Sequence, residues 1–378
     1  MTWRDGVHLT GTPIWCDARR RRDVCFLSSA DRIGRAGHGQ LIATSITLAL
    51  LGARDKGHLA VPLRQRFTLG TVRLELIPSG RGFGAAALHV DITGKTVLYA
   101  GAVRTSAGGV GDAAELRTCD AVVVSAPFGE PRHRFPPLAT AIDATIDWTH
   151  DQLAANRWPV LLVDTVLDGL EVASRLAADG VALAAGRALR DAAHRIADLV
   201  PSPRIIDGTV AIGRTITLGS IGREPRTAGR DAKSGAASQA AAKAARGGDA
   251  LRTVTPPALF AESSSGIPAL VAPGREPRAI LWLDADRAGL AKALGDRAFT
   301  TALVSGRALD GHAGCDAGFV WAAAADRAQL LAWIEATAAR DVFVTGACAE
   351  AIVGTLGGRA RMIGPPHQMS LFPGEAFS

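Results

Sequence analysis

Chemistry in this chain would have to come from the stretch CFLSSADRIGRAGHG at 25–39 and the WCDARRRRD that leads into it. A short apolar strand at 24–27 breaks into a small polar loop, and an apolar run of helical character follows at 41–51. Backbone N–H groups converge where a strand feeds a helix N-terminus, which makes such a loop a place to build a site. The side chains on offer are Ser28, Ser29, Asp31 and His38. Ser28 and Ser29 lack a Gly-x-Ser-x-Gly elbow and read as caps of the next helix rather than nucleophiles. The nine histidines (His8, His38, His58, His89, His133, His150, His194, His312 and His367) include no pair at metal-ligand spacing. SGRGFG at 79–84 lacks the Lys-Ser/Thr ending of a phosphate loop and reads as a strand-end turn.

Around these residues the chain must form a large core: it has 378 residues, 48% of them hydrophobic and 21% charged. Two domains are expected. The formal charge of +6 suits an anionic partner, although Arg-, Ala- and Gly-rich composition accounts for part of it. The five cysteines are widely spaced without a Cys-x-x-Cys, so reduced thiols in a cytoplasm are expected. MTWRDGVHLTG has no apolar run of signal-peptide length, and no stretch is long enough to span a membrane. A cytoplasmic protein without membrane contact is expected.

Up to about residue 124, short apolar runs alternate with turn residues: VRLELI at 72–77, ALHVDI at 87–92, VLYA at 97–100 and AVVV at 121–124. Period-two alternation with TGK at 93–95 between two runs predicts strands and a hairpin. From about residue 135 the pattern becomes strand–helix–strand, with helices at 139–156, 169–179 and 189–199 and strands at 160–164 and 181–184. That alternation predicts a parallel, doubly wound sheet. Residues 223–255 are Ala/Gly/Ser/Arg-rich without an apolar face and read as a flexible insertion. The alternation resumes at 279–283 and closes with strands near 301–304 and 342–345 and helices at 326–337 and 349–356.

These pieces together resemble the metallo-β-lactamase fold with a β-CASP insertion, in the branch of bacterial exonucleases associated with DNA ligases and repair helicases. The resemblance lies in WCDA before the first strand, HGQLIATSITLALL after the loop, IPSGRGFGAAALHV followed by TGKTVLYAGAVR, CDAVVVSAPFGEPRHRFPP, and the stretch from VSGRALDGHAGCD to VFVTGACAEA. It implies an αββα sandwich with an inserted doubly wound α/β domain: 1–133 and 313–364 as the sandwich core, 134–312 as the insertion, and 365–378 as a tail. Enzymes of this family hold two divalent metals through a His-x-His-x-Asp-His loop, a third-strand His, a bridging Asp and a late His.

At the matching positions this chain has Ser29, Asp31, Ile33 and Gly34 in the loop, Arg81 for the third-strand His, Ala102 for the bridging Asp and Gly346 for the late His. Ser125 stands for the acidic residue that opens the insertion and Ala324 for the His that closes it; Asp17 retains an acidic position. Neither Ile nor Gly donates to a metal, and Arg81 would put a fixed cation where a metal belongs. The expectation is therefore a catalytically inactive homologue with no metal and no cofactor. It would act as a nucleic-acid-binding or scaffold subunit in bacterial DNA repair or replication, with DNA or RNA, a DNA ligase and a helicase as partners implied by the resemblance. The alternative is a metal-dependent nuclease with relocated ligands. Arg19, Arg20, Arg21, Arg22, Arg32, Arg35 and Arg81 are expected to line the emptied cleft as a phosphate-binding groove. In the tail, Gln368, Met369, Ser370, Leu371 and Phe372, bracketed by prolines, resemble the bacterial sliding-clamp-binding pentapeptide.

Overall fold

The computed structural model describes residues 1–32, 37–54, 56–200, 272–274, 276–312 and 314–365. The stretch 223–255, Ile33, Gly34, Arg35, the side chain of Arg32, and 368–372 lie outside them. The mixed α/β chain forms three sheets. The first has six short strands in chain order, Thr2–Trp3, Val7–His8, Ile14–Cys16, Val24–Phe26, Gln40–Ala43 and Leu59–Ala60, the last four mutually parallel. The run at 41–51 is not one helix. It divides into the strand Gln40–Ala43 and the helix Ser45–Leu50, because Thr44 adopts an extended conformation and its Oγ1 accepts the Thr47 N–H. Leu41 and Ile42 bury into different cores on the two faces of the sheet, so a continuous apolar run here is a parallel strand.

The second sheet has seven strands. Arg66–Leu69, Val72–Pro78, Ala86–Ile92 and Lys95–Ala102 form an antiparallel meander, and Ala121–Ser125, Asp341–Thr345 and Ala360–Met362 extend it in parallel. The expected hairpin is present: Thr93 and Gly94 both take positive φ, 50° and 84°, and the Gly94 N–H bonds Asp91 Oδ1 at 2.9 Å. The two sheets pack face to face through Ile14, Phe26, Ile42, Leu74, Leu76, Leu88 and Val90. Leu48 of the helix Ser45–Leu50 covers the outer face of the first sheet. Leu330, Ile334 and Ile352, from the helices Arg327–Ala336 and Ala349–Leu356, cover the outer face of the second. The layers thus run helix, sheet, sheet, helix.

Between the neighbouring strands Ala121–Ser125 and Asp341–Thr345 the chain builds the third sheet, five parallel strands in the order Leu183–Ala185, Ala279–Leu283, Trp158–Val163, Phe299–Val304, Ala317–Phe319. Every residue of the central strand Trp158–Val163 is buried, as a strand covered on both faces requires. The sheet's last strand, Ala317–Phe319, lies past the expected boundary at 312. The chain then returns through the helix Arg327–Ala336, whose Asp326–Gln329 capping box fixes its start. No helix among the described residues is long and apolar enough to cross a membrane.

Candidate functional site

The candidate site is a cluster of polar side chains where Ser28, Asp31, the loop 79–84 and the strand Lys95–Ala102 come near the helix Val166–Ala178. Asp17 sits in the left-handed region (φ 47°) directly after the strand Ile14–Cys16. Its carboxylate accepts the Ser28 N–H at 2.8 Å, the Ser28 hydroxyl at 2.6 Å and the Tyr99 hydroxyl at 2.9 Å. Three donors on one carboxylate fix the loop's first turn and tie Ser28 to Asp17. Gly101, at φ 61°, lets Ser28 approach, since a Cβ there would lie 2.8 Å from Ser28 Oγ.

The turn 79–84 delivers Arg81. Gly80 (φ 76°) passes so close to the Arg104 carbonyl that a Cβ would sit 2.1 Å from it. Thr44 and Thr47 both donate to the Gly84 carbonyl, at 2.6 and 2.8 Å. From this turn Arg81 reaches across to the helix Val166–Ala178. Nη1 bonds Asp168 Oδ1 at 2.7 Å, and Nη2 bonds Asp31 Oδ2 at 2.8 Å and Thr165 Oγ1 at 3.2 Å. The Arg81 side chain is 13% exposed. Burial alone would disfavour its charge, but the fields of Asp168 and Asp31 more than offset that and raise its pKa above the ordinary value.

One turn along the same helix, Glu171 Oε1 accepts from Arg104 Nη1 at 2.7 Å and from the Trp321 indole N–H at 3.1 Å. Both charged side chains are essentially sealed from water, at 2% and 1% exposure. A turn further, Arg175 donates to the carbonyls of Gly108 and Gly109. One helix face, Asp168–Glu171–Arg175, is thus joined to the sandwich loops at three points spaced by one turn.

The other described positions matched by the resemblance offer no imidazole or carboxylate apart from Asp17 and Asp31. Ala102 and Ala324 are buried, as are Ser29 and Ser125. Gly346 takes φ 99°, and a Cβ there would lie 2.9 Å from the Ala126 carbonyl, so the backbone leaves no room for an imidazole. Burial pushes the Cys25 thiol up to about 12, which removes it as a nucleophile at neutral pH. Among the described residues, no three His, Cys, Asp or Glu side chains are grouped so as to hold a metal ion.

Of the arginines expected to share one groove, Arg35 and the Arg32 side chain lie outside the described residues, and Arg81 and Arg19–Arg22 do not come together. Arg81 is turned inward into its ion pairs, where two half-buried carboxylates compensate its charge. Arg19–Arg22 run back along the first sheet, away from the Arg81 cluster. The Asp17 N–H bonds the Phe26 carbonyl at the carboxyl end of the strands, whereas the Gly39 N–H bonds the Arg22 carbonyl at their amino end. Arg104, Thr165, Asp168, Glu171 and Trp321 escape a sequence reading altogether. The one local signal is the Thr-x-x-Asp cap at 165–168, in which Thr165 Oγ1 accepts the Asp168 N–H.

No protein-family model matches the sequence. A probable DNA ligase of Opitutus terrae (strain DSM 11246 / JCM 15787 / PB90-1) is 26% identical over 161 residues, which is 41% of this chain and 16% of the ligase. The chain therefore spans a small part of that relative's length. Among solved structures, a protein of unknown function from Enterococcus faecalis V583 is similar at a TM-score of 0.48 and 10% identity, covering 91% of this chain and 79% of its own.

Proposed function

We propose that the chain is a non-catalytic protein of metallo-β-lactamase and β-CASP type, serving DNA transactions as a nucleic-acid-binding or scaffold subunit. In this reading the insertion opens at about 134 and closes after the strand Ala317–Phe319, the flanking segments form the sandwich core, and 365–378 is a docking tail. The observation that carries it is Arg81: at the position the resemblance gives to a metal-binding His, its guanidinium pairs with Asp31 and Asp168. A two-metal hydrolase instead needs ligands that converge on cations about 4 Å apart. The identity to part of a probable DNA ligase supports the link to DNA.

The test is a cleavage assay of the full chain on labelled single- and double-stranded DNA and RNA with magnesium, manganese or zinc. The expected result is no cleavage above buffer; cleavage abolished by a chelator would favour the relocated-ligand hydrolase instead. The tail reading adds that Leu371 and Phe372 anchor in an apolar pocket of a sliding clamp, with Gln368 bonding at its rim. A peptide covering 365–378 should bind a bacterial clamp at about micromolar Kd, as expected for a short motif that orders on binding. Binding indifferent to Leu371→Ala plus Phe372→Ala would remove the clamp from the proposal.

A further inference from the structure

A second surface, separate from the Arg81 cluster, gathers exposed arginines of which, among the described residues, only one is paired with a carboxylate. The segment 17–23 leaves the carboxyl end of Ile14–Cys16 and runs back to the amino end of Val24–Phe26, carrying Arg19, Arg20, Arg21 and Arg22. The turn at Arg4–Gly6 packs against it: the Arg19 N–H bonds the Asp5 carbonyl at 2.6 Å, and Arg22 Nη2 bonds the Arg4 carbonyl at 2.5 Å. Gly6 permits this contact, since a Cβ there would overlap the Ala18 backbone at 2.5 Å. Trp15 locks Arg22 in place, with the guanidinium carbon 3.8 Å from the ring centroid and His8 stacked on the same indole at 4.6 Å.

Arg4, Arg19, Arg20 and Arg21 are exposed on this rigid base. Several exposed arginines elsewhere are answered by neighbouring carboxylates, Arg132 by Glu130 and Asp310, Arg187 by Asp191 and Arg340 by Asp120, while others such as Arg73 and Arg157 stand singly in the sequence. Here Asp5 answers Arg20 at 3.0 Å, while Arg4, Arg19 and Arg21 meet no carboxylate among the described residues. The exposed large apolar residues of the described chain, Leu63, Leu116, Phe299 and Met362, are all in other parts of the sequence. Protein interfaces are anchored by buried apolar and aromatic groups, whereas nucleic-acid backbones are met by exposed cations on a polar surface. The Trp15 ring already carries His8 and Arg22, so contacts to phosphate outweigh base stacking.

We propose that the Arg4–Arg19–Arg20–Arg21 face binds the phosphate backbone of a nucleic-acid duplex without reading its sequence. The proposal rests on the DNA-related reading above but places the contact on the far end of the parallel strands from the Arg81 cluster. The test is anisotropy of a labelled short DNA duplex against the full chain between about 50 and about 200 mM salt, the range over which counterion release is steep. Loss of three phosphate contacts should lower the slope of log affinity against log salt by about 3, at about 0.9 per contact. The variant Arg19→Ser/Arg20→Ser/Arg21→Ser should show that drop, with binding at the lowest salt weakened more than tenfold and denaturation unchanged. Arg132→Ser/Arg187→Ser/Arg340→Ser, which removes three compensated arginines, should leave the slope as it is.

The proposal is overturned if the wild-type chain does not bind duplex at the lowest salt, or if the first variant keeps the wild-type slope. It is equally overturned if both variants lose the same slope, which would mean that net charge alone is read. Binding of an acidic peptide through Arg19–Arg21, with no duplex binding, would make the face a protein-docking surface and overturn it too. A wild-type chain that binds no duplex also removes duplex binding from the proposed function, whereas a first variant that keeps the wild-type slope overturns only this face.

Discussion

Glu171→Ala should lower the free energy of unfolding by about 3–5 kcal/mol, the cost of leaving a buried charge without its partner. The substitution strands the Arg104 guanidinium at 2% exposure and removes the acceptor of the Trp321 indole N–H. It also unfastens the helix Val166–Ala178 from the sandwich at the middle of its three attachments. Arg104 cannot relax toward water, because Gly109 is packed so tightly on its guanidinium that a Cβ there would overlap it at 1.6 Å. The apolar double variant Arg104→Met/Glu171→Leu should lose much less, since a buried ion pair is often replaceable by matched apolar groups when both partners go together. Urea denaturation reads both variants. A loss below about 1 kcal/mol for Glu171→Ala would mean that the pair is not desolvated as described.

Arg81→Ala should cost a similar amount, about 3–5 kcal/mol, for the opposite reason: it leaves two carboxylates, Asp31 and Asp168, facing each other with no cation between them. Arg81→Lys should restore only part of the loss. An ammonium presents its donors from one point, whereas the guanidinium spans Asp168 on one nitrogen and Asp31 with Thr165 on the other. In Arg81→Ala, adding Asp168→Asn should recover stability by removing one of the stranded charges. If Arg81→Ala unfolds like the wild-type chain, the cation does not hold the cluster together and the case for the proposed function weakens.

Strands and helices were legible in the sequence where hydrophobic period and turn residues agreed. VRLELI, ALHVDI and VLYA became the meander, Thr93-Gly94 its hairpin, and AILWL a strand at Ala279–Leu283. The run at 41–51 misled because Leu41 and Ile42 are buried on opposite faces of a sheet, and a doubly buried strand has no period to distinguish it from a helix. The side chains at the matched positions were visible in the sequence, but the partners of Arg81 were not. Arg81 and Asp168 are 87 residues apart and Arg104 and Glu171 are 67 apart. Nothing local marks Glu171, an acid in a helix that would ordinarily face water, as one that turns inward to a buried arginine. Arg19–Arg22 illustrate the converse error. As a run of charge they were assigned to the cleft, yet a parallel connection must return to the starting end of its sheet, and that carries them away from it.

The most direct measurement on the Arg81 cluster is metal binding by the full chain: elemental content after purification, followed by unfolding midpoints with and without added zinc or manganese. A ligand that binds only the folded state raises the midpoint, by about 2.7 kcal/mol of stability at a hundredfold excess over Kd. The prediction is less than a tenth of a metal per chain, on the order of background, and midpoints that do not rise with metal, since the Arg81 guanidinium is already paired with Asp31 and Asp168. About two metals per chain, as a two-metal site requires, with a midpoint that falls on chelation would contradict it.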